Sequence, residues 1–337
     1  IKYENRDFIE PQEWLTLEFA RGCKFKCIFC NFPILGVKGD YSRDAEDFYE
    51  EAMDIYDRFG VRHFYIADET FNDSSAKIAK FANVADRLSF TPYMTGHIRG
   101  DLLASRPQDW DNMIKLGING HFYGIETFNA ETGKAVGKGM NPEKLQEGLL
   151  QVKEYFNKNN GGIYRGTISM IAGLPYETEE SIMKAHKWLM EEWNGENFGW
   201  NLLEIPYDYR NDVLSQLSID FEKYGYTVTP KENLNRYGEY EHMGAWHVTK
   251  QLDWDSGYLS RDRCIEILKD QIQDGKYFSN TTISPWFIYV HMLDPNKTIK
   301  DALDHKINYF KDTEYAADIK RLSDQMIGRY VERKLSL

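Results

Sequence analysis

Cysteine is scarce in this chain, with four among 337 residues. That density argues against a small secreted scaffold stapled by disulfides. Long apolar runs are also missing. No stretch of about 18 apolar residues occurs, which leaves no candidate for a helical membrane span. Residues 1–10 are polar and lack the apolar core of a signal peptide. Basic residues are outnumbered, 41 against 53 acidic, and the net charge of −12 opposes non-specific attraction to nucleic acid. No internal repeat, flexible linker or low-complexity tract stands out. What remains is the composition of a globular protein, 42% hydrophobic and 28% charged, large enough for one large or two modest domains. Free thiols point to a reducing compartment, the cytoplasm.

Three of the four cysteines are concentrated in Cys23-Lys24-Phe25-Lys26-Cys27-Ile28-Phe29-Cys30, the pattern C-x3-C-x2-C. Three thiolates on one short loop can serve a single iron-sulfur cluster. A cubane has four irons, so three protein ligands leave one iron open to a cofactor or substrate. A zinc knuckle is the rival reading, but no histidine follows until His63.

Hydropathy predicts a strand over 14–20 leading into this loop. Helices and strands then alternate: helix 43–59 with Ser42 as its cap and Gly60 as its stop, strand 61–66, helix 75–88, strand 91–96, a short helix 110–116, strand 121–125, helix 142–157, strand 165–172, a helix from Thr178 and strand 198–205. Six strand-helix units imply parallel strands with helical crossovers. The fold class is therefore α/β, a partial six-unit barrel of the TIM type, with ligands at the carboxyl ends of the strands. On this reading residues 1–13 are a lead-in and 14–205 the core. Residues 206–337 form a mainly helical extension that closes the barrel and shapes a substrate site, although a separate partner-binding domain is the alternative. The extension is aromatic, with Tyr207, Tyr209, Tyr224, Tyr226, Trp246 and Trp254, and helices are predicted over 260–274 and 296–335.

The cysteine pattern resembles the signature of the radical S-adenosylmethionine (radical SAM) enzymes, and the resemblance extends across roughly 14–205. It implies that Cys23, Cys27 and Cys30 hold a 4Fe-4S cluster whose open iron chelates SAM. Reductive cleavage of SAM would then give a 5′-deoxyadenosyl radical that abstracts hydrogen from an unactivated C–H bond. Phe29, before the third cysteine, matches the family's adenine-facing aromatic. Ala67-Asp68-Glu69 stands where the family has Gly-Gly-Glu, which holds the SAM amino group. Gly124-Ile125-Glu126 is similar to the Gly-Ile-Glu of one branch, implying a SAM contact for Glu126, and Lys138 matches a basic position reaching the SAM carboxylate. The run Ser169-Met170-Ile171-Ala172-Gly173-Leu174-Pro175-Tyr176-Glu177-Thr178 resembles the motif ending Gly-Leu-Pro-x-Glu-Thr, implying cofactor contacts for Ser169, Ile171 and Gly173. There a bare glycine backbone would approach the adenine. Thr95, His97 and Arg99 follow the third strand toward the same mouth. Asn201 and Glu204 are candidates for the interior.

Cys264 is the remaining thiol, either a hydrogen donor to a substrate radical or an inert core residue. One cysteine cannot hold an auxiliary cluster. The branch also contains cobalamin-dependent methylases, but their Asp-x-His-x-x-Gly motif is absent from these residues, so cobalamin is possible without being indicated. The first residue is not Met, which leaves room for residues upstream. A reductant such as flavodoxin or ferredoxin is implied as a partner. A peptide, protein or small molecule is implied as substrate. A non-catalytic iron-sulfur electron carrier or sensor is the alternative from another class.

Overall fold

The computed structural model describes residues 2–268, apart from 8, 10, 12, 36–37, 194–197, 206–213 and 232–250, together with a few positions between 324 and 336. Tyr207, Tyr209, Trp246 and nearly all of the predicted helix over 296–335 lie outside the described residues.

Six parallel strands form one sheet in chain order: β1 (Trp14–Leu17), β2 (His63–Ile66), β3 (Tyr93–Ile98), β4 (Ile118–Glu126), β5 (Arg165–Ala172) and β6 (Phe198–Leu202). Helices cross over between them, chiefly α1 (Ala45–Phe59), α2 (Ser75–Ala85), α3 (Trp110–Lys115), α4 (Pro142–Asn159) and α5 (Glu179–Glu191). Among the described residues strand one pairs on one side only, so the sheet is an open partial barrel of the TIM type.

Local chemistry sets the element ends. Asp44, rather than Ser42, caps α1 by accepting from the Glu46 N–H, because Tyr41–Ser42 is engaged in a small ladder with Ala20–Arg21. Gly60 ends α1 with φ 70°, a left-handed position suited to glycine. Thr178 and Ser181 form a reciprocal cap on α5. Strand β3 continues two residues beyond the predicted end, so His97 as well as Thr95 lies within it rather than after it.

Paired residues of neighbouring parallel strands share a face. One face carries Leu17, Phe64, Ile66, Met94, Tyr123, Ile168, Met170, Ala172 and Leu202, all buried. Under the first two crossovers Phe19 meets Phe48 and Phe81 at 4.7 and 4.8 Å between ring centroids. Each such ring removed from water stabilises by about 1.5–3 kcal/mol. The other face is the lumen. Its floor is aromatic: Trp14 lies 5.5 Å from His63, and His63 stacks on Tyr93 at 5.5 Å. Above the floor the registers Thr16–Tyr65–Thr95 and His97–Phe122–Thr167 run across the sheet, then Gly124–Ser169–Gly199 and Ile171–Asn201. The lumen is thus polar above an aromatic plug, as a ligand-holding interior requires.

Beyond the sheet, an antiparallel pair, β7 (Thr227–Lys231) and β8 (Gln251–Asp255), and a short helix α6 (Arg261–Glu266) pack past the carboxyl ends of β5 and β6. The Leu252 N–H donates to the Ile205 carbonyl at 3.0 Å, and the Arg263 guanidinium pairs with Glu179 at 2.8 Å. Among the described residues no helix is long and apolar enough to cross a membrane.

Candidate active site

Cys23, Cys27 and Cys30 sit on the loop that leaves the carboxyl end of β1, and all three are free and half-buried. The Cys30 N–H donates to the Cys27 carbonyl at 3.1 Å, and the Gly39 N–H to the Cys23 carbonyl at 3.3 Å. The loop is also tied to the C-terminal stretch, where the Leu217 N–H donates to the Ile28 carbonyl at 2.8 Å.

One flank of the loop is ionic. The Lys24 ammonium lies 2.9 Å from Asp73, and Asp73 pairs with the buried Lys77 at 2.7 Å. Lys77 also reaches Asp40 at 3.2 Å and Asp68 at 3.8 Å. The other flank is cationic and aromatic. The Arg99 guanidinium carbon lies 3.8 Å from the centroid of the Phe25 ring, and Arg99 is held by Asp101. Gly137, at φ 85°, lets the chain pass close by: a Cβ there would meet the Lys26 carbonyl at 3.6 Å. Lys138 follows, donates to the Gly124 carbonyl and stands 4.0 Å from Glu126. Burial pushes the Cys27 thiol up, while Lys138 and Arg99 pull it back toward the thiolate.

The residues singled out in the sequence separate into three groups. Glu126 and Lys138 come together at the mouth, Glu69 stands beside Cys30, and Thr95 and His97 face the lumen. Burial raises the Glu69 carboxyl, which lies close enough to act on Cys30 and Tyr65. Glu126 has φ 70°, a strained position for a non-glycine residue, and burial raises its carboxyl against the pull of Lys138 and Arg99. Its Oε1 lies where a Gly124 side chain would be, 2.6 Å from a built Cβ. His97 shares a 2.9 Å hydrogen bond with the Tyr65 hydroxyl, and burial lowers its pKa, keeping the imidazole neutral. Ser169 accepts from Asn201 at 3.2 Å on the far side of the lumen. Phe29 and Ile171 are half-buried, packed on the core. Ala67 is exposed, its N–H donating to the Leu17 carbonyl at 2.8 Å.

Two residues serve elsewhere. Asp68 is 2% exposed, and its Oδ1 accepts from the Phe19 and Ala20 N–H groups at 2.8 and 3.0 Å. It therefore secures the start of the cysteine loop and cannot offer its side chain to a SAM ammonium. At Gly173, φ 96°, a Cβ would lie 2.1 Å from the Trp254 indole, so the close approach that this glycine permits is to Trp254 instead of adenine. The Tyr226 hydroxyl donates to the Gly173 carbonyl at 2.6 Å and completes the seal.

Cys264 stands behind this seal with no exposed surface. Burial, aided by the Glu177 carboxyl, pushes its thiol up to about 12. It is a core thiol and does not meet a substrate as a hydrogen donor would.

Sequence reasoning missed Lys77, Asp73, Asp40 and Tyr65. The Asp73–Lys77 spacing of four, with Lys77 beside the apolar Ile78 and Phe81, was the available signal.

The donor set suits an iron-sulfur cluster and a charged, nucleoside-bearing cofactor. Three free thiols share a loop, and the buried Arg99 Nη1 and Thr95 Oγ1 have no hydrogen-bond partner among the described residues. Among the described residues no three His, Cys, Asp or Glu side chains gather closely enough for a single metal ion.

An open parallel barrel with a three-cysteine loop at its ligand end defines a class of iron-sulfur enzyme. Residues 17–189, just over half of the chain, match the model of the Radical SAM superfamily, and the chain belongs to that superfamily. The cofactors of that superfamily are a 4Fe-4S cluster and SAM, and its members need a reductant and a substrate. No curated protein matches the chain. Among solved structures it is similar to the radical SAM methyltransferase TsrM from Kitasatospora setae with cobalamin and a 4Fe-4S cluster bound, at 15% identity and TM-score 0.56 over 82% of this chain and 56% of that one. The cobalamin-dependent radical enzyme OxsB matches at 16% identity and TM-score 0.46, over 63% of this chain and 30% of that one. Coproporphyrinogen III oxidase (HemN) from Escherichia coli matches at 18% and 0.40, over 64% and 52%. The chain thus spans from 30% to 56% of these proteins, and the likeness to TsrM is one of fold.

Proposed function

We propose that Cys23, Cys27 and Cys30 hold the 4Fe-4S cluster and that the lumen of residues 14–205 receives the C–H bond to be activated. The observation that carries this reading is the set of three free, half-buried thiols at the carboxyl end of β1, facing a buried guanidinium with an unpartnered N–H. When bound, the cluster supplies the electron that cleaves SAM and releases a 5′-deoxyadenosyl radical.

The chain's own groups do the positioning. Glu69, an exposed carboxylate beside Cys30, accepts from the SAM ammonium, with Glu126 as the second acceptor. Lys138 and the free Arg99 N–H meet its carboxylate. Phe29 takes the adenine edge, and Ser169 and Ile171 line the opposite wall. The neutral His97–Tyr65 pair hydrogen-bonds substrate above the aromatic floor. The described part of 206–337 closes the far wall through Trp254 and Tyr226, and its aromatic character favours a peptide or protein substrate over a small metabolite. The reductant is a flavodoxin or ferredoxin, and the setting is the cytoplasm.

The test is anaerobic reconstitution of the full chain, with iron and sulfide counted, followed by reduction and addition of SAM. Four irons per chain and formation of 5′-deoxyadenosine are expected, both abolished by Cys27→Ser. An intact cluster that never yields 5′-deoxyadenosine, with or without candidate peptides, would establish the electron-carrier alternative. Cobalamin is added in a parallel arm. Tight binding would make the chain the catalytic part of a cobalamin methylase.

A further inference from the structure

We infer that Lys77 is a positioning residue for the cysteine loop, which it holds through Asp40, Asp68 and Asp73, the first and last of which Lys24 also pairs with from the loop itself. This inference rests on the reading of Cys23, Cys27 and Cys30 as cluster ligands.

Lys77 sits on the first turn of α2 and is 4% exposed. Its ammonium lies 2.7 Å from Asp73, 3.2 Å from Asp40 and 3.8 Å from Asp68, and donates to the Thr70 carbonyl at 3.3 Å. Each partner fixes a different piece of the same loop. Asp68 accepts from Phe19 and Ala20, where the chain leaves β1. Asp73 binds Lys24, the residue after the first cysteine, at 2.9 Å. Asp40, 4.0 Å from Lys24, lies where the chain returns to pair with Arg21. Thr70 has its hydroxyl 3.9 Å from the Cys23 sulfur. A single ammonium therefore connects the start of the loop, its first ligand and its return.

Stability alone is a weak reason for such an array. Buried ion pairs are commonly matched or bettered by apolar residues of similar volume, because desolvation offsets the attraction. What apolar residues lack is direction. An ammonium surrounded by acceptors fixes their separations, and here the acceptors belong to the ligand loop. A cluster ligand needs its sulfur held at one corner of the cubane, and partners beyond the ligands themselves commonly supply that constraint.

The experiment uses the anaerobically reconstituted full chain and the variants Lys24→Gln, Lys77→Met and Lys77→Arg, with Phe156→Leu, in the core under α4, as a control that lowers stability elsewhere. Iron loss to a chelator and the electron paramagnetic resonance signal of the reduced cluster without SAM are measured, with the melting temperature alongside. Lys24→Gln, a change at a side chain 45% exposed, is expected to melt like the native chain yet lose iron several-fold faster with an altered signal. Lys77→Met is expected to lose iron faster still, and Lys77→Arg to restore part of the retention. Phe156→Leu is expected to melt earlier and keep the native retention and signal. Native retention and signal in both Lys24→Gln and Lys77→Met would overturn the inference. Should Lys77→Met fail to fold, Lys24→Gln decides alone. A native chain that takes up no more iron than Cys23→Ser overturns the cluster reading, and this inference with it.

Discussion

Asp68 and Glu177 stand at opposite sides of the barrel mouth, and each buried carboxyl accepts from two consecutive backbone N–H groups. Asp68 holds Phe19 and Ala20, and Glu177 holds Gly173 and Leu174 at 2.9 and 3.4 Å, with Thr127 as a third donor. Burial pushes Asp68 up to about 6, against the pull of Lys77, and pushes Glu177 up to about 8, against neutral donors only. For both carboxyls the backbone N–H donors offset only part of the desolvation, and Asp68 has in addition an ammonium 3.8 Å away. The two sides of the mouth follow this difference. The side under the cysteines is ionic and directs a loop. The side over β5 is neutral and aromatic, and it is sealed.

The largest effect should come from making the two sides alike. Lys77→Met leaves three aspartates without their buried cation and should cost about 3–5 kcal/mol in denaturant unfolding. It should also drive Asp68 higher still, toward the behaviour of Glu177. A loss near zero would mean that water or protons already neutralise the array. The sealed side responds to volume instead. Gly173→Ala places a methyl into the Trp254 indole at a left-handed φ of 96°, and should cost roughly 2–4 kcal/mol, combining overpacking with backbone strain. If this variant unfolds like the native chain, the Trp254 contact does not seal the wall.

Acidity separates the two carboxyls more finely. A carboxyl raised on folding binds its proton more tightly in the native state, so its contribution is complete below the unfolded pKa and is lost as pH rises through the folded one. For Asp68 that window runs from 3.8 to about 6, and for Glu177 from 4.5 to about 8. Buried His97 and His121 act in the opposite sense below 6.5, since burial depresses them. Between 6.5 and 8 the Glu177 contribution is therefore the clearer one. Stability of the native chain should fall across that interval by at most about 1.4 kcal/mol per pH unit. Glu177→Gln, a neutral mimic of the protonated form, should flatten the profile. An unchanged slope would mean that Glu177 is ionised at neutral pH.

How far these features were legible in the sequence depends on the distance over which each is determined. The cysteine loop, Gly60, the Thr178 cap and the strand Arg165–Ala172 depend on neighbours a few residues away, and sequence spacing located them. Asp68 did not yield to the same reasoning. An Asp-Glu pair after a strand has the look of two solvated carboxylates, and nothing local says that one turns inward to Phe19 while the other stays exposed. Its partner Lys77 comes from the next helix and Asp40 from the preceding loop, so the array exists only once three segments meet. Gly173 was noticed for the right property, its open backbone. What fills the space is an indole 81 positions later, across a stretch with no periodic pattern.

The smallest effect tests whether the far wall stays closed. Cys264 is buried behind Trp254 and Tyr226, close enough to Glu177 for that carboxyl to help raise its thiol up to about 12. Little thiolate exists there at pH 8, and alkylating reagents react with thiolate. In the metal-free native chain iodoacetamide should modify the half-buried Cys23, Cys27 and Cys30 well before Cys264, which should react only on unfolding. Mass spectrometry of the digested chain reads the order directly. Cys264→Ala removes little more than one methylene equivalent of buried volume and should cost about 1 kcal/mol. Early alkylation of Cys264 would show that the wall over β5 opens in solution, and the contrast between a directed ionic side and a sealed aromatic one would then have to be redrawn.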